Sequence, residues 1–426
     1  MSQNSLTTRS IIIIGSGIIG LSVLYRLIED IEKKKSTSIC YKIHVVTRID
    51  KKILSLKGDL DNVIFDQDLA SVYAGAHQRP FPTEYASGNE KLTYQRRESL
   101  YTKETFDYFL DKLKNSKEWS YDDYETTIKF CRGYDLIDSS IEAYKNLNDG
   151  YNSNNLVNFT EQDKTLSELV VPSCIQEKLD IISSYDTYVV NTPRFMRFLY
   201  RSCCEKSDAI SNIDLQFHFN HNVNFMEDVV SLSSTPKPVI INCSGKGELL
   251  WNSSNDSVVT SYFPIRGQTL LVSVPNTPKY QKFAENTITY QNGSKWSFVI
   301  QRPIPKKNKN FKKRLYFIIG GTKQIDCYDK NISNADINYV LNNAKEIFPN
   351  LFTDGDWILE RVNVGFRPGS KVGSVVNLEH KASFHLKTYY PIINCYGFGG
   401  YGVECSFGAA NHVMMLLNRA FREANL

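Results

Sequence analysis

The chain lacks the usual marks of a metal centre or a disulfide scaffold. Its nine cysteines contain no Cys-x-x-Cys, and its seven histidines contain no His-Glu-x-x-His. The adjacent pair Cys203-Cys204 cannot frame a metal site, so no metal is expected; reduced thiols in a cytosolic-type compartment are. Long apolar runs are missing too. The best stretch, Ile11 to Tyr25, is broken early by Gly15-Ser16-Gly17 and falls short of the roughly 18 residues of a membrane helix. No small-residue cleavage site follows it, so it does not read as a secretory signal. The expectation is a soluble protein, peroxisomal or cytoplasmic and not secreted. The final Ala424-Asn425-Leu426 resembles a C-terminal peroxisomal tripeptide in which Asn425 replaces the usual base.

Charge of one sign is also scarce. Lys and Arg total 50 against 46 acids, a net +4. Six of the bases (Lys306, Lys307, Lys309, Lys312, Lys313 and Arg314) share one nine-residue stretch without an acid; outside it, 50 − 6 = 44 bases face 46 acids. The protein as a whole is thus no binder of nucleic acid. The basic stretch, with one aromatic (Phe311), lies between two apolar runs; it is open to reading as a nuclear signal or nucleic-acid contact, and reads first as a solvated hairpin tip. Nor is there a Ser-His-Asp or paired-carboxylate constellation, the signature of common hydrolases.

What is present suits a large α/β protein. Of 426 residues, 42% are hydrophobic and 23% charged, enough for a sizeable core and for two to three domains, or one large domain with an inserted partner. Ser10–Ile14 is a β-branched run ended by glycine, as in a buried parallel strand. Helical spacing follows over 20–35, then a second strand over Tyr41–Val46, making a β-α-β unit. Further on, helices are predicted over 100–115, 193–204, 337–348 and 408–424, with Asp336 as an N-cap. Residues 145–158 read as a loop. Strands are predicted at 215–219, 239–242, 264–274, 296–300 and 315–319, the last two as a hairpin. Helix and strand alternate at both ends around a hairpin-like middle, which suggests a doubly wound domain with a mixed-sheet insertion.

The first chemical motif is Gly15-Ser16-Gly17-Ile18-Ile19-Gly20. Glycines at this spacing let the chain turn tightly, let the backbone approach a pyrophosphate and let helix pack on strand. The phosphates then meet free N–H groups at the positive end of the helix. The motif closes a strand and opens an amphipathic helix, the context that dinucleotide binding requires. The acid usual at the end of the second strand is absent, since the strand ends Val46-Thr47-Arg48. Arg48 is open to two readings, a phosphate partner or a solvated side chain.

The remaining motifs resemble, in order along nearly the whole chain, the FAD-dependent D-amino acid oxidases, including the D-aspartate oxidases. The segments concerned are Ala70-Ser71-Val72-Tyr73-Ala74-Gly75-Ala76-His77, Thr187 to Phe195, Val239 to Gly245 with Ser244, and Pro264-Ile265-Arg266-Gly267-Gln268-Thr269. Gly320-Gly321-Thr322, Gly365-Phe366-Arg367-Pro368 and Tyr396-Gly397-Phe398-Gly399-Gly400-Tyr401-Gly402 complete the series. The resemblance implies an α/β fold: a Rossmann-like FAD-binding domain with an inserted mixed-sheet (α+β) substrate domain. The first would take 1–96, 178–258 and 366–426, the second 97–177 and 259–365. FAD would be held by Gly15, Ser16, Gly17, Ile18, Ile19, Gly20, Arg48, Ser71, Ala74, Gly75, Val223, Ser244, Gly399, Gly400, Gly402, Val403 and Glu404.

The implied reaction is hydride transfer from Cα of an amino acid to flavin N5. The imino acid then hydrolyses to a 2-oxo acid and ammonia, and O₂ reoxidises the flavin to give H₂O₂. Arg367 would clamp the substrate carboxylate with two parallel charge-assisted bonds. The Gly400 carbonyl would accept from the substrate amine. Two positions depart from the family pattern. Glu404 stands where relatives carry Thr or Gln, so it could accept from flavin N3–H and also disfavour an anionic reduced flavin. Phe298 takes the place of a tyrosine whose hydroxyl helps hold the carboxylate. Three readings follow: affinity is reduced, Tyr290 substitutes, or the substrate differs. Lys323, His77 and Arg79, if buried together, would attract a side-chain carboxylate and favour D-aspartate or D-glutamate. Neutral D-amino acids, glycine or sarcosine, and a non-catalytic flavin-fold binding role are the alternatives. An NAD-dependent dehydrogenase is disfavoured by the late glycine motif. The expected partners are a small-molecule amino acid and O₂, with no nucleic acid or membrane; a homodimer is compatible with the resemblance.

Overall fold

The computed structural model describes residues 7–35, 38–55, 68–80, 90–119, 127–138, 150–163, 171–247, 262–293, 295–304, 313–382 and 388–423. The C-terminal tripeptide and bases 306–312 lie outside them. The chain divides into two compact units. The first takes 1–64, 196–263 and 368–426, and the second 65–195 and 264–367.

The first unit is built on a six-stranded sheet. Its strands are β1 (Thr7–Ile14), β2 (Ile39–Val46), β5 (Ile213–His218), β6 (Val239–Asn242), β13 (Val375–Ala382) and β14 (Tyr389–Tyr396). Their order is β13-β14-β6-β1-β2-β5, parallel except for the β13–β14 edge pair. Ile11, Ile12, Ile13 and Ile14 on β1 are all buried. A strand covered on both faces needs such a continuous apolar run rather than alternation. Helix α1 (Ile18–Lys34) packs against a helix at the chain end (Ser406–Glu423), with Arg26 Nε donating to Asn411 Oδ1 at 2.9 Å.

The second unit is an eight-stranded mixed sheet. It contains β3 (Ile128–Ile137), β4 (Ile181–Val190), β7 (Tyr262–Pro275), β8 (Asn286–Asn292), β9 (Lys295–Gln301), β10 (Arg314–Gly320) and β11 (Gln324–Ile325). The order is β11-β7-β10-β9-β8-β3-β4, and β12 (Ile358–Ser370) also pairs with β7. Only β3–β8 in this path is parallel. One face carries Tyr134, Leu136, Ile288, Tyr290, Val299 and Ile319, covered in part by the helix Asn334–Ile347 through Val340, Ala344 and Ile347. The opposite face carries Val189, Leu271, Phe298, Ile300 and Ile318.

Three expectations are corrected. Residues 178–195 belong with the second unit, not the first, because β4 hydrogen-bonds along its whole length to β3. Residues 68–80 move with them, since Gln78 N donates to Tyr188 O and Val190 N to Ala76 O. The helix at 334–347 is capped by Ser333, whose hydroxyl accepts from Asp336 N at 3.1 Å. Asp336 instead takes Arg266 Nη1 at 2.7 Å. Arg266 is almost fully buried and also donates to Gln324, Gln268 and the carbonyls of Asp329 and Asn331, tying the β11 loop to that helix.

The expected mixed-sheet part and β-α-β unit are both present. No helix among the described residues is long and apolar enough to cross a membrane. All nine cysteines are free thiols. Among the described residues no group of three or more His, Cys, Asp or Glu could hold a metal.

Candidate active site

In the first unit, the glycine loop has the geometry of a phosphate cradle. Gly15 has φ +100, and a Cβ there would stand 2.4 Å from the Cys243 carbonyl oxygen. A Cβ on Gly20 would stand 1.9 Å from Gly15 O. Only glycine permits the turn at one position and the helix–strand approach at the other. Gly17 caps α1 in an extended conformation, with no side-chain cap and no acid in the first turn. The start of this long helix thus offers backbone N–H donors and a positive dipole end to an anion. Ile18 is buried in the helix and Ile19 partly so.

Where an acid would usually follow β2, Thr47 acts within the protein. Its hydroxyl meets Ser16 Oγ at 2.7 Å, both residues buried, and accepts from Ile49 N at 3.1 Å. Arg48 is exposed. Ser244 accepts from Gly247 N at 3.1 Å. The Val223 side chain packs among Ile12, Ile14 and Val46.

The late glycine segment also belongs to the first unit. Gly399 has φ +55 and donates to Pro368 O at 2.8 Å. A Cβ on Gly399 would meet nothing within 4 Å, and one on Gly402 only Phe398 Cβ at 3.9 Å. Gly400 is exposed, whereas Val403 and Glu404 are buried just before the terminal helix. Open space over glycine backbone and a phosphate cradle are what FAD needs, so the residues present fit it.

In the second unit, strand register decides which side chains share a face. Thr269, Gly320, Phe298, Thr289 and Asp135 form one row across β7, β10, β9, β8 and β3. Residues directly opposite each other point to the same face, and neighbours along a strand point to opposite faces. Tyr290, next to Thr289, therefore faces away from Phe298. Its hydroxyl donates to Asp138 Oδ2 at 2.5 Å, and burial followed by that bond raises its pKa. Tyr290 cannot supply the hydroxyl that Phe298 lacks, which corrects that expectation. The Phe298 ring lies over Gly320, where a Cβ would be 1.9 Å from its Cζ, and beside Gly75.

Arg367, near the end of β12, lays its guanidinium over Gly267. A Cβ there would meet Nη1 at 2.4 Å and Cζ at 2.7 Å. Gly267 is two residues from Thr269, so Arg367 covers the Phe298 face. Its one hydrogen bond among the described residues is a long one, 3.4 Å to Thr322 O, and no carboxylate there pairs with it. Burial lowers its pKa, since the charge is partly desolvated without a counter-ion among the described residues.

The three basic residues expected to gather do not form a cationic cluster. Lys323 is exposed. His77 shares a 2.9 Å hydrogen bond with Thr287 Oγ1, and burial, then the Arg79 charge, pushes its pKa down to about 3; it is neutral at neutral pH. Arg79 pairs through Nε with the fully buried Asp135 at 2.7 Å. Asp135 also accepts from Tyr151 at 2.9 Å and Tyr185 at 3.2 Å. Asp135, Tyr151 and Tyr185 carry no local signal in the sequence. Ser71 lies in the short helix Ala70–Tyr73, and Ala74 N donates back to its carbonyl. From there the segment runs over the Phe298 face, placing Gly75 near Ile300 and Phe298, His77 at Thr287 and Arg79 at Asp135.

The family model described as FAD dependent oxidoreductase (DAO) matches residues 159–416. A D-aspartate oxidase of Talaromyces thermophilus is 27% identical over 411 residues, 96% of this chain and 94% of that protein. A D-amino-acid oxidase of Schizosaccharomyces pombe is 26% identical over 236 residues, 54% of this chain and 58% of that protein. Among solved structures, glycine oxidase of Geobacillus kaustophilus superposes with a TM-score of 0.60 at 13% identity, covering 97% of this chain and 95% of that one.

Proposed function

Because the chain belongs to the FAD dependent oxidoreductase family, we propose that it is an oxidase of free D-amino acids, with Arg367 as receptor for the substrate carboxylate. The observation that carries this reading is the Arg367 guanidinium. It is partly desolvated, seated on a glycine, and without a carboxylate partner among the described residues. A desolvated charge without a counter-ion is costly, and a carboxylate ligand relieves that cost. The preference for the D enantiomer is supported by the named activities of the D-aspartate and D-amino-acid oxidases above.

Gly15, Gly17 and Gly20 with the N-terminus of α1, together with the 399–404 segment, are the residues that would hold FAD. When bound, FAD supplies a hydride acceptor and passes the electrons to O₂, giving H₂O₂. Arg367 fixes the α-carboxylate and so limits how the Cα–H bond can point. Phe298 gives an apolar floor that excludes water from the reacting carbon. The imino acid released hydrolyses in water to a 2-oxo acid and ammonia.

The test is a panel of D- and L-amino acids with the FAD-loaded protein, measuring H₂O₂ and ammonia. Equal yields of both from D-amino acids, with none from the L-enantiomers, support the reading. Turnover of L-amino acids, or of secondary amines such as sarcosine alone, overturns it.

A further inference from the structure

Two histidines of the first unit have no part in the reading above. His44 on β2 and His218 on β5 share the sheet face that carries Ile12 and Val46, since His44 is paired with Ile12 and Gln216, and His218 with Val46. His44 Nδ1 lies 3.1 Å from His218 Nε2, with the ring centroids 5.3 Å apart. His44 is buried and His218 half-buried. One nitrogen donates its N–H and the other accepts, so the contact holds a single proton. If both rings become imidazolium, each of these nitrogens carries a proton and two like charges face each other.

The contact sits at a sheet edge that reaches the phosphate cradle. β5 is the last strand in the order, with β2 as its neighbour. The His218 carbonyl accepts from Thr47 N at 2.9 Å, and His221 N donates to the Thr47 carbonyl at 2.9 Å. The Thr47 hydroxyl in turn meets Ser16 Oγ at 2.7 Å, inside the Gly15–Gly20 loop. β5 thus helps to place a residue that touches the cradle. Lys42 on β2 lies opposite Asp214 on β5, and His221 follows His218. On this face β1 presents Ser10, Ile12 and Ile14, and the short helix Glu227–Val230 brings Glu227 and Asp228, the latter accepting from Asn224 N and Phe225 N. Burial, then His218, lowers the pKa of His44, while Asp214 opposes the shift and Lys42 adds to it. Burial, then His221, lowers that of His218. Both rings are neutral at neutral pH, and each gains proton affinity when released to water.

We propose that the His44–His218 contact is an acid-sensitive latch on the cofactor cradle: a second proton on the pair parts β5 from β2, draws Thr47 away from Ser16 and weakens the binding of FAD. The pair is held neutral in the closed state and takes up protons when it opens. FAD affinity is therefore full above the ordinary histidine pKa of 6.5 and is lost as pH falls below it. The coupling is reciprocal, so bound FAD makes the pair harder to protonate. The latch acts on FAD binding whatever substrate is oxidised.

The test measures the Kd of FAD, from its fluorescence, at about pH 7.5, 6.5 and 5.5 in the wild type, His44→Asn and His218→Gln. Circular dichroism at each pH shows that the chain is still folded. Asparagine offers a polar atom where His44 has Nδ1, and glutamine one where His218 has Nε2. Each variant thus keeps a hydrogen bond but cannot take the second proton. If one of them fails to fold, the other carries the comparison. The expected result is a Kd near that of the wild type at about pH 7.5 in both variants. Over the lowest pH unit the wild-type Kd should rise about tenfold more than theirs, as for one extra proton taken up on release. An equal rise in all three proteins, or a wild-type Kd that does not change with pH, would overturn the proposal and leave the oxidase reading intact. A folded wild type that binds no FAD at any of these pH values would overturn both.

Discussion

Gly267 offers a way to disturb the carboxylate clamp without touching the arginine. A methyl group at this position would stand 2.4 Å from Arg367 Nη1 and 2.7 Å from both Cζ and Nη2. Ordinary contact begins near 3.4 Å, so the guanidinium must move by about 3.4 − 2.4 = 1.0 Å. It is the far end of a flexible side chain and can move, so the fold should survive. Alanine in a strand interior is if anything favoured over glycine, by roughly 0.5–1 kcal/mol. A displacement of about 1 Å in a positioning group can cost on the order of a hundredfold in rate. Each tenfold is 1.36 kcal/mol, so the loss of transition-state stabilisation should be about 2.7 kcal/mol. Gly267→Ala should therefore keep its FAD and its Tm while kcat/KM for the best D-amino acid falls about a hundredfold. The assay is steady-state H₂O₂ production alongside a thermal melt. An unchanged kcat/KM would refute the placement of the clamp over Gly267.

Two further outcomes follow from the sheet. Tyr290→Phe should leave kcat/KM unchanged, since Tyr290 faces away from Phe298, but should lower stability by about 1–3 kcal/mol by removing a donor from Asp138; denaturant unfolding checks the second part, and an activity loss without a stability loss would contradict the register. His77 titrates near pH 3 in the folded chain against an ordinary 6.5, so the unfolded chain binds the extra proton between those values. Its contribution to stability is full above pH 6.5 and is lost as pH falls towards 3; melts over that window should show His77→Gln with a flatter pH dependence than the wild type.

The parts legible in the sequence are those set by local rules. The Gly15–Gly20 spacing after four isoleucines identifies a strand, a turn and a helix, because each glycine answers a steric demand within a few residues. Arg367 beside Gly365 and Pro368 is likewise readable, through its likeness to a known motif. The Ser333–Asp336 spacing is also a readable cap signal, a serine followed three residues on by an acid. The parity of Tyr290 was not legible. Tyr290 and Phe298 are eight residues apart across a turn, and the register of that turn decides which side chains share a face. The Arg79–Asp135 pair was hidden for a different reason. Its members are 56 residues apart, and it is the pairing of residues 76–78 with β4, and of β4 with β3, that brings Arg79 to Asp135. A basic residue read alone looks like available charge; its neutralising partner is a tertiary fact.

The central claim is that Arg367 holds the carboxylate of a D-amino acid for oxidation. Its most direct test is anaerobic reduction of the bound flavin, followed by loss of its visible absorbance, in the wild type and in Arg367→Leu loaded with FAD. The wild type should bleach with D-amino acids and not with their L-enantiomers, and the variant should bleach on the order of a hundredfold more slowly or not at all, as for loss of one partner of a buried charge pair. Reduction of Arg367→Leu at the wild-type rate, or bleaching of the wild type by L-enantiomers alone, would contradict the account.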